Sequence, residues 1–210
     1  MSDHLNKAAF YKTVRTRLGS LDQSQVNGFE MLIAAIEAAP LSHQAYMLAT
    51  AWHETAATMQ PIKERGGVEY FTRLYDVAGD RPKTCIAYGN TCAGDGPKHC
   101  GRGYVMLTWK SNYARADAKL AEAGLIKPGE LLANPDLAMR PDIAAFIMVR
   151  GMAEGWFSGK KLSDYLPARG VATRAQYVQA RRIINILDKA ELIEDYAQVF
   201  ERALRDGGAS

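Results

Sequence analysis

Two stretches decide how the rest of the chain is interpreted: HETAATMQPIKE at residues 53–64 and GRGYVMLTWKSNY at residues 101–113. The first carries two carboxylates, Glu54 and Glu64, ten residues apart. On one straight helix, ten residues would separate these side chains by about 15 Å and roughly 80° around the axis. Side chains placed in this way cannot act on one bond, so a single continuous helix does not explain the pair.

A proline between the two carboxylates changes this geometry. Pro61 lacks a backbone donor and disfavours helix at the residue before it, so we predict that the helix carrying Glu54 ends near Met59 or Gln60. The chain can then turn back and bring Glu64 opposite Glu54. Carboxyl groups that face each other at roughly 6.5–9.5 Å, with room for a water molecule, suit hydrolysis of a glycosidic bond with inversion.

The composition is that of an ordinary soluble globular protein, with 210 residues, 48% hydrophobic and 23% charged. This length suits one domain with a sizeable core. The net charge of +3 is compatible with an anionic polymer as substrate and does not predict nucleic-acid binding. No apolar run reaches the length of a membrane span, and MSDHLNKAAFYK lacks the apolar core of a signal peptide. We therefore expect synthesis in the cytoplasm without an export signal.

The three cysteines, Cys85, Cys92 and Cys100, are odd in number, so we expect free thiols. The alternative is a zinc site that also uses His99, but spacings of seven and eight residues do not match the usual zinc motifs. HETAA is not a zinc-protease helix either, because Ala57 stands where the second histidine would be. We predict no metal site.

Apolar residues at helical spacing predict helices in the first and last thirds of the chain. These helices lie at residues 5–18, after a capping box of Ser20 and Gln23, after a cap at Ser42, from Pro141 onward, and near 175–187 and 190–204. Many glycines and prolines between residues 66 and 98 predict an irregular or hairpin-rich lobe, which is typical of binding loops. Residues 104–109 predict a short strand that leads into a helix over 111–123. The whole pattern predicts a mostly helical single domain with a small irregular β lobe.

The segments LATAWHET, PIKE, GRGYVMLTWKSNY, NPDLA and ARRIIN, in this order and spacing, resemble glycoside hydrolase family 19. They are most similar to its chitinase-like endolysin branch from phages and prophages. The resemblance spans roughly residues 45–190. It implies a mainly α, lysozyme-like α+β fold: a helical two-lobed domain with a small irregular β-hairpin lobe and a cleft between the lobes. It also implies one catalytic domain over residues 1–210, without a separate cell-wall-binding domain and without a cofactor.

The resemblance assigns catalytic and binding roles to individual residues. It implies that Glu54 is the general acid, that Glu64 is the general base, and that the hydroxyl of Thr108 helps to hold the attacking water. It further implies that Asn112 contacts sugar and that Asn185 lines the cleft.

Two residues depart from the family pattern. Met106 stands where the family usually has a substrate-binding glutamine, and methionine cannot donate a hydrogen bond. Ile186 stands where the family usually has glycine, so that a side chain there would crowd the cleft or change the backbone of the neighbouring asparagine. Both changes predict an altered substrate subsite around Met106 and Asn185.

Other residues of the two stretches have competing interpretations. Arg102 and Tyr104 are further substrate-binding candidates, although ion pairs of Arg102 would equally fix its loop. Tyr104 and Trp109 can stack on sugar, while core packing is the better explanation for at least one of them. Glu69 and Asp76 lie in the same irregular region as the predicted base and are its alternatives.

The function implied by the resemblance is that of a glycoside hydrolase that cleaves β-1,4 bonds between N-acetylated amino sugars. It would degrade the glycan strands of peptidoglycan as an endolysin. The alternatives are a chitinase acting on chitin oligomers and a non-catalytic glycan-binding descendant. An endolysin of this kind would be a monomer that stays in the host cytoplasm and reaches the periplasm and cell wall on lysis. Five basic residues near the C-terminus could bring it into transient contact with the anionic outer membrane, or simply be solvated; these are Arg181, Arg182, Lys189, Arg202 and Arg205.

Overall fold

The computed structural model describes residues 5–209 and consists mainly of α-helices, which confirms the predicted fold class. The helices are α1 Lys7–Leu18, α2 Gln23–Ile36, α3 Leu41–Glu54, α4 Val68–Tyr75, α5 Pro82–Ala87, α6 Asp95–Lys98, α7 Lys110–Glu122, α8 Glu130–Ala133, α9 Pro141–Glu154, α10 Arg174–Ala180 and α11 Ala190–Asp206. Short 3-10 helices occupy Pro135–Met139, Leu162–Asp164 and Arg181–Ile183. Strands β1 Ile62–Lys63 and β2 Arg102–Gly103 pair antiparallel, with Ile62 opposite Gly103 and Lys63 opposite Arg102. Over residues 5–209, none of the helices has both the length and the apolarity that a bilayer crossing requires.

The described chain forms two compact units. The first unit ends at Met59 and resumes at Val149, and the second is Gln60–Met148, so the boundary falls within α9. Glu54 belongs to the first unit and Glu64 to the second.

Helix α3 forms the core of the first unit, where it packs against α2 and α11. Every residue from Leu41 to Trp52 is buried. A helix buried on all sides must satisfy its polar side chains internally. Accordingly, the Ser42 hydroxyl donates to the carbonyl of Pro167 at 2.8 Å, and Gln44 Nε2 donates to the carbonyl of Ala39 at 2.7 Å. Ser42 is therefore not the predicted cap, since α3 begins one residue before it.

Helix α3 ends at Glu54. The prediction that it ends near Met59 or Gln60 is therefore wrong. A Schellman motif ends the helix: the N–H of Ala57 donates to the carbonyl of Trp52 at 2.7 Å. The left-handed residue of this motif is Ala56, with a φ of 50°. Because glycine is the usual residue there, an alanine gives no sequence signal, whereas Pro61 gives a misleading one. The motif fixes Glu54 as the last helical residue of α3.

Replacing Ala56 by glycine should stabilise the protein. A left-handed conformation costs an L-residue about 1–2 kcal/mol, and the greater freedom of glycine in the unfolded chain offsets part of this gain. We expect the free energy of unfolding to rise by about 0.5–1 kcal/mol, measured by urea denaturation. Ala118→Gly, at an exposed position within α7, is the control and should lose about 1 kcal/mol. Equal losses in both variants would contradict a strained cap at Ala56.

In the second unit, residues 66–98 form α4, α5 and α6 instead of the predicted irregular or hairpin-rich lobe. The glycines and prolines begin helices here: Pro82 is the first residue of α5, and Gly94 precedes α6 with a φ of 92°. A buried carboxylate connects these short helices, because Asp76 Oδ2 accepts from the backbone N–H groups of Gly94 and Gly96 at 2.8 and 3.0 Å. The segment is thus an ordered helical scaffold.

Three further boundaries differ from the predicted ones. The capping box of α2 begins at Asp22 and not at Ser20. Helix α10 is shorter than predicted because a 3-10 helix follows it directly. Residues 104–109 are not a strand, since Met106 and Trp109 have left-handed φ values of 49° and 78° that break an extended chain.

Candidate active site

Glu64 follows β1 directly, and its carboxylate is held at both oxygens. The N–H of Gly101 donates to Oε2 at 3.1 Å, and the hydroxyl of Tyr75 donates to Oε1 at 2.9 Å. Burial and the neighbouring Glu64 carboxylate raise the pKa of Tyr75, so its hydroxyl stays protonated and remains a donor. Both partners are donors, so they fix the position of the Glu64 carboxylate through its two acceptor oxygens.

A glycine at position 101 makes this arrangement possible. The backbone N–H of Glu64 also donates to the carbonyl of Gly101 at 2.9 Å, which continues the pairing of β1 with β2. A Cβ atom on Gly101 would lie 3.0 Å from Oε2 of Glu64 and 3.3 Å from Cβ of Met106. A larger residue would therefore push the carboxylate away from the backbone donor.

The segment after β2 carries the other candidates of the second stretch. The Thr108 hydroxyl donates to the carbonyl of Met106 at 2.8 Å, which leaves the Thr108 oxygen free to accept from a water. Asn112 Nδ2 donates to the carbonyl of Thr108 at 2.9 Å, so the amide oxygen of Asn112 takes no part in that contact. Left-handed conformations of non-glycine residues store strain and cluster at functional sites, and both Met106 and Trp109 adopt one.

Arg102 and Tyr104 lie in the interior of the second unit, with 4% and 1% of their surface exposed. Arg102 Nε donates to Asp136 Oδ1 at 2.7 Å, and its Nη1 donates to the carbonyl of Cys100 and the hydroxyl of Tyr113, both at 3.0 Å. Burial raises the pKa of Tyr104 to about 12. Through these contacts Arg102 holds its loop in place, which agrees with the interpretation that its ion pairs fix the loop.

The two alternative bases have different surroundings. Asp76 is fully buried and is occupied by backbone donors. Glu69 is exposed in the first turn of α4. Neither of these carboxylates shares the backbone and hydroxyl donors that hold Glu64.

In the first unit, Glu54 forms an ion pair with a buried arginine. Its Oε1 accepts from Arg181 Nη1 at 2.8 Å, and the two side chains are 15% and 3% exposed. Arg181 Nε also donates to the carbonyl of Asp188 at 2.9 Å. The ion pair thus joins the proposed acid to a buried cation. Burial lowers the pKa of the adjacent His53, so that its neutral form is favoured.

The prediction that Arg181 contributes to a basic surface is wrong, because the residue is buried in this ion pair. In the predicted helix over 175–187, Arg181 follows the apolar Tyr177 by four residues and so shares its face, which is a hint of burial but not of the partner. The backbone carbonyl of Arg181 also accepts from the N–H of Asn185 at 2.9 Å. Asn185 is exposed, its Oδ1 accepts from the N–H of Ile186 at 2.8 Å, and Ile186 is 75% exposed.

The structure therefore places the predicted residues in two groups. In the second unit, Glu64 follows β1, while Thr108 and Asn112 lie between β2 and the first turn of α7 and are bonded to each other. In the first unit, Arg181 contacts Glu54 with its side chain and Asn185 with its backbone carbonyl. Sequence reasoning missed Tyr75, for which no motif gives a signal, and the ion pair of Arg181. The cysteines at positions 85, 92 and 100 are free thiols, and residues 5–209 contain no cluster of three or more metal-ligating side chains.

Solved structures of chitinases have the same fold as this chain. Chitinase C from Streptomyces griseus HUT6037 matches with a TM-score of 0.55 and 20% identity, over 93% of this chain and 76% of its own. A mutant of chitinase C matches with a TM-score of 0.53 and 20% identity, over 93% and 92% of the two chains. A bacterial family 19 chitinase matches with a TM-score of 0.52 and 18% identity, over 98% and 96%. The scan against protein-family models and the comparison with curated proteins found no match. The chain thus has the mainly helical fold of these chitinases.

Proposed function

We propose that this protein is a glycoside hydrolase that cleaves β-1,4 bonds between N-acetylated amino sugars in peptidoglycan, and that it acts as an endolysin. The observation that carries the proposal is the carboxylate of Glu64, fixed by the Gly101 N–H and the Tyr75 hydroxyl in a chain with a chitinase fold. Glu54 is the proposed acid and Glu64 the proposed base. Thr108 is proposed to accept a hydrogen bond from the attacking water.

In the proposed reaction, the neutral Glu54 gives its proton to the glycosidic oxygen as the bond to the anomeric carbon breaks. A water molecule adds to the opposite face of that carbon while Glu64 accepts its proton, and the product has inverted configuration. Glu54 contacts Arg181 through Oε1, so in the proposed reaction its other oxygen, Oε2, carries the proton. Exchange of protons with solvent restores both carboxyl groups for the next cycle.

Wild-type protein should clear a suspension of Gram-negative cells stripped of their outer membrane and should digest purified murein. Mass spectrometry of the fragments would identify the bond, and proton NMR of fresh product should show the α-anomer first, as inversion requires. Chitin oligomers are the parallel substrate, because the solved structures with this fold are chitinases. Cleavage of these oligomers without digestion of murein would make the protein a chitinase. Binding of murein without any cleavage would make it a non-catalytic glycan-binding protein.

The endolysin role has its own test. We propose that the monomer acts from the host cytoplasm and reaches the wall when the membrane opens. Expression in a Gram-negative cytoplasm should then leave growth unchanged until a pore-forming protein is induced, after which the cells should lyse rapidly. Lysis that is equally fast with an empty vector and the same pore would contradict this role.

Replacing Tyr75 by phenylalanine should slow hydrolysis while keeping the protein folded. The variant removes the hydroxyl that donates to Glu64 and retains the ring. A hydrogen bond to a charged group contributes about 1.5–3 kcal/mol, so we expect kcat/KM to fall by about 10- to 100-fold. Tyr70→Phe, on the same helix and 38% exposed, is the matched control and should keep wild-type activity. Equal activity of both variants would show that the hydroxyl of Tyr75 does not support the base.

A further inference from the structure

A row of aromatic rings runs through the second unit and ends at its surface. Successive centroids lie 5.4, 6.4, 5.1 and 5.0 Å apart along Tyr70, Phe71, Tyr75, Trp109 and Tyr88. The last pair is stacked, with an angle of 20° between the rings, whereas Tyr75 meets Trp109 edge to face. The row therefore connects the hydroxyl that holds Glu64 to an exposed tyrosine.

The backbone segments that carry these rings are fixed to one another by a buried asparagine. Asn90 Nδ2 donates to the carbonyl of Tyr75 at 2.7 Å, and Asn90 Oδ1 accepts from the N–H of Lys110 at 2.9 Å. The N–H of Ser111 donates to the carbonyl of Tyr88 at 3.2 Å. The position of Tyr88 next to Trp109 is thus set in advance, which lowers the entropic cost of binding a ligand there.

Trp109 keeps its place in the row at the expense of backbone strain. Its φ of 78° is unusual for a bulky residue, and its N–H donates to the carbonyl of His99 at 3.0 Å. Strained residues persist where the surrounding structure fixes them, and they cluster at functional sites. In this structure the strain positions a large ring behind Tyr88.

Tyr88 is 45% exposed, although Trp109 stacks against it. A sugar ring has apolar C–H groups on its faces and hydroxyls around its edge, so it fits an aromatic surface bordered by polar groups. Two exposed residues with hydroxyl groups are close along the backbone: Thr91 follows Tyr88 by three residues, and Ser111 is bonded through its N–H to the carbonyl of Tyr88.

We propose that Tyr88, backed by Trp109, is a stacking platform for one N-acetylated sugar ring of a glycan bound along the second unit. The choice of glycan rests on the proposed function. Through Trp109 and Tyr75 the platform is linked to Glu64, so it holds a sugar some way along the strand from the bond that is cut. It increases affinity for long strands and does not take part in proton transfer.

The test measures binding in a Glu54→Gln background, so that bound glycan is not consumed. The probes are the hexasaccharide and the disaccharide of β-1,4-linked N-acetylglucosamine and soluble murein fragments, by calorimetry. Tyr88→Ala should raise the Kd of the hexasaccharide by about 3- to 10-fold, as expected for loss of one aromatic stacking contact, and leave the disaccharide unchanged. Tyr88→Phe should stay within about 2-fold of the parent. Ile86→Ala, 55% exposed in α5 and two residues before Tyr88, is the control and should bind like the parent.

An unchanged Kd in Tyr88→Ala would overturn the platform, and so would an equal loss for hexasaccharide and disaccharide. A loss in Tyr88→Phe as large as in Tyr88→Ala would also overturn it, because the phenyl ring retains the stacking surface. Failure of the proposed function looks different. If wild-type protein cleaves no substrate, while binding of the hexasaccharide still depends on Tyr88, the platform stands and the hydrolase proposal fails.

Discussion

Glu54→Gln and Glu64→Gln should each lower kcat/KM for glycan hydrolysis by about 1,000-fold or more, because glutamine neither gives nor takes the required proton. Glutamine at position 54 still offers Arg181 an acceptor oxygen, so this variant should stay folded and bind substrate. Glutamine at position 64 keeps one acceptor oxygen, but its NH2 group takes the place of the other. That group cannot accept the hydrogen bond that Gly101 or Tyr75 now donates. We therefore expect slightly lower thermal stability for this variant. Initial rates on soluble murein fragments and thermal unfolding curves provide both measurements.

The double variant tests whether the two carboxylates act in one reaction. Groups that act as a unit show strongly non-additive effects, so Glu54→Gln/Glu64→Gln should be scarcely slower than either single variant. Glu69→Gln is the control, because it removes an exposed carboxylate of the same unit as Glu64. A loss of activity in Glu69→Gln as large as in Glu64→Gln would transfer the proposed base to Glu69. Full activity in all the variants would refute the two-carboxylate mechanism.

The fold class was predictable because it depends on periodic apolar residues. Helix α11 illustrates this: its predicted range of 190–204 differs from the observed Ala190–Asp206 by two residues at one end. The short helices of the second unit were not predictable in this way, because α5 and α6 have too few turns for a period to show. Their glycines and prolines indicated breaks correctly, while the helices between the breaks depend on tertiary contacts such as those of Asp76.

The candidate site could be predicted where a residue lies in a motif, and not where it comes from elsewhere in the chain. Glu54 and Glu64 stand out in the sequence because a proline separates them. Tyr75 reaches Glu64 only after α4 has formed, eleven residues later in the chain. Arg181 reaches Glu54 across 127 residues of sequence. Partners of this kind are set by packing, and no local pattern identifies them.

Breaking the ion pair of Glu54 with Arg181 should destabilise the protein strongly. Glu54→Leu leaves a guanidinium that is 3% exposed without its carboxylate, and we expect a loss of about 3–5 kcal/mol in the free energy of unfolding. Arg181→Met should cost less, about 2 kcal/mol, because Glu54 is 15% exposed and can reach water or take up a proton. Urea denaturation at pH 7 measures both losses.

The double variant Glu54→Leu/Arg181→Met should regain most of the lost stability, because it buries no unpaired charge. Because the single losses of about 3–5 and about 2 kcal/mol would then largely cancel, the cycle should give a coupling of at least about 3 kcal/mol. The pair of Arg140 and Asp142, with both side chains about half exposed, is the control and should show coupling close to zero. Losses that simply add in the double variant would mean that Arg181 stabilises the first unit through its contact with the Asp188 carbonyl and not through Glu54. The contact with Glu54 would then position the proposed acid without contributing to folding, and Arg181→Met should lower kcat in addition to its loss of stability.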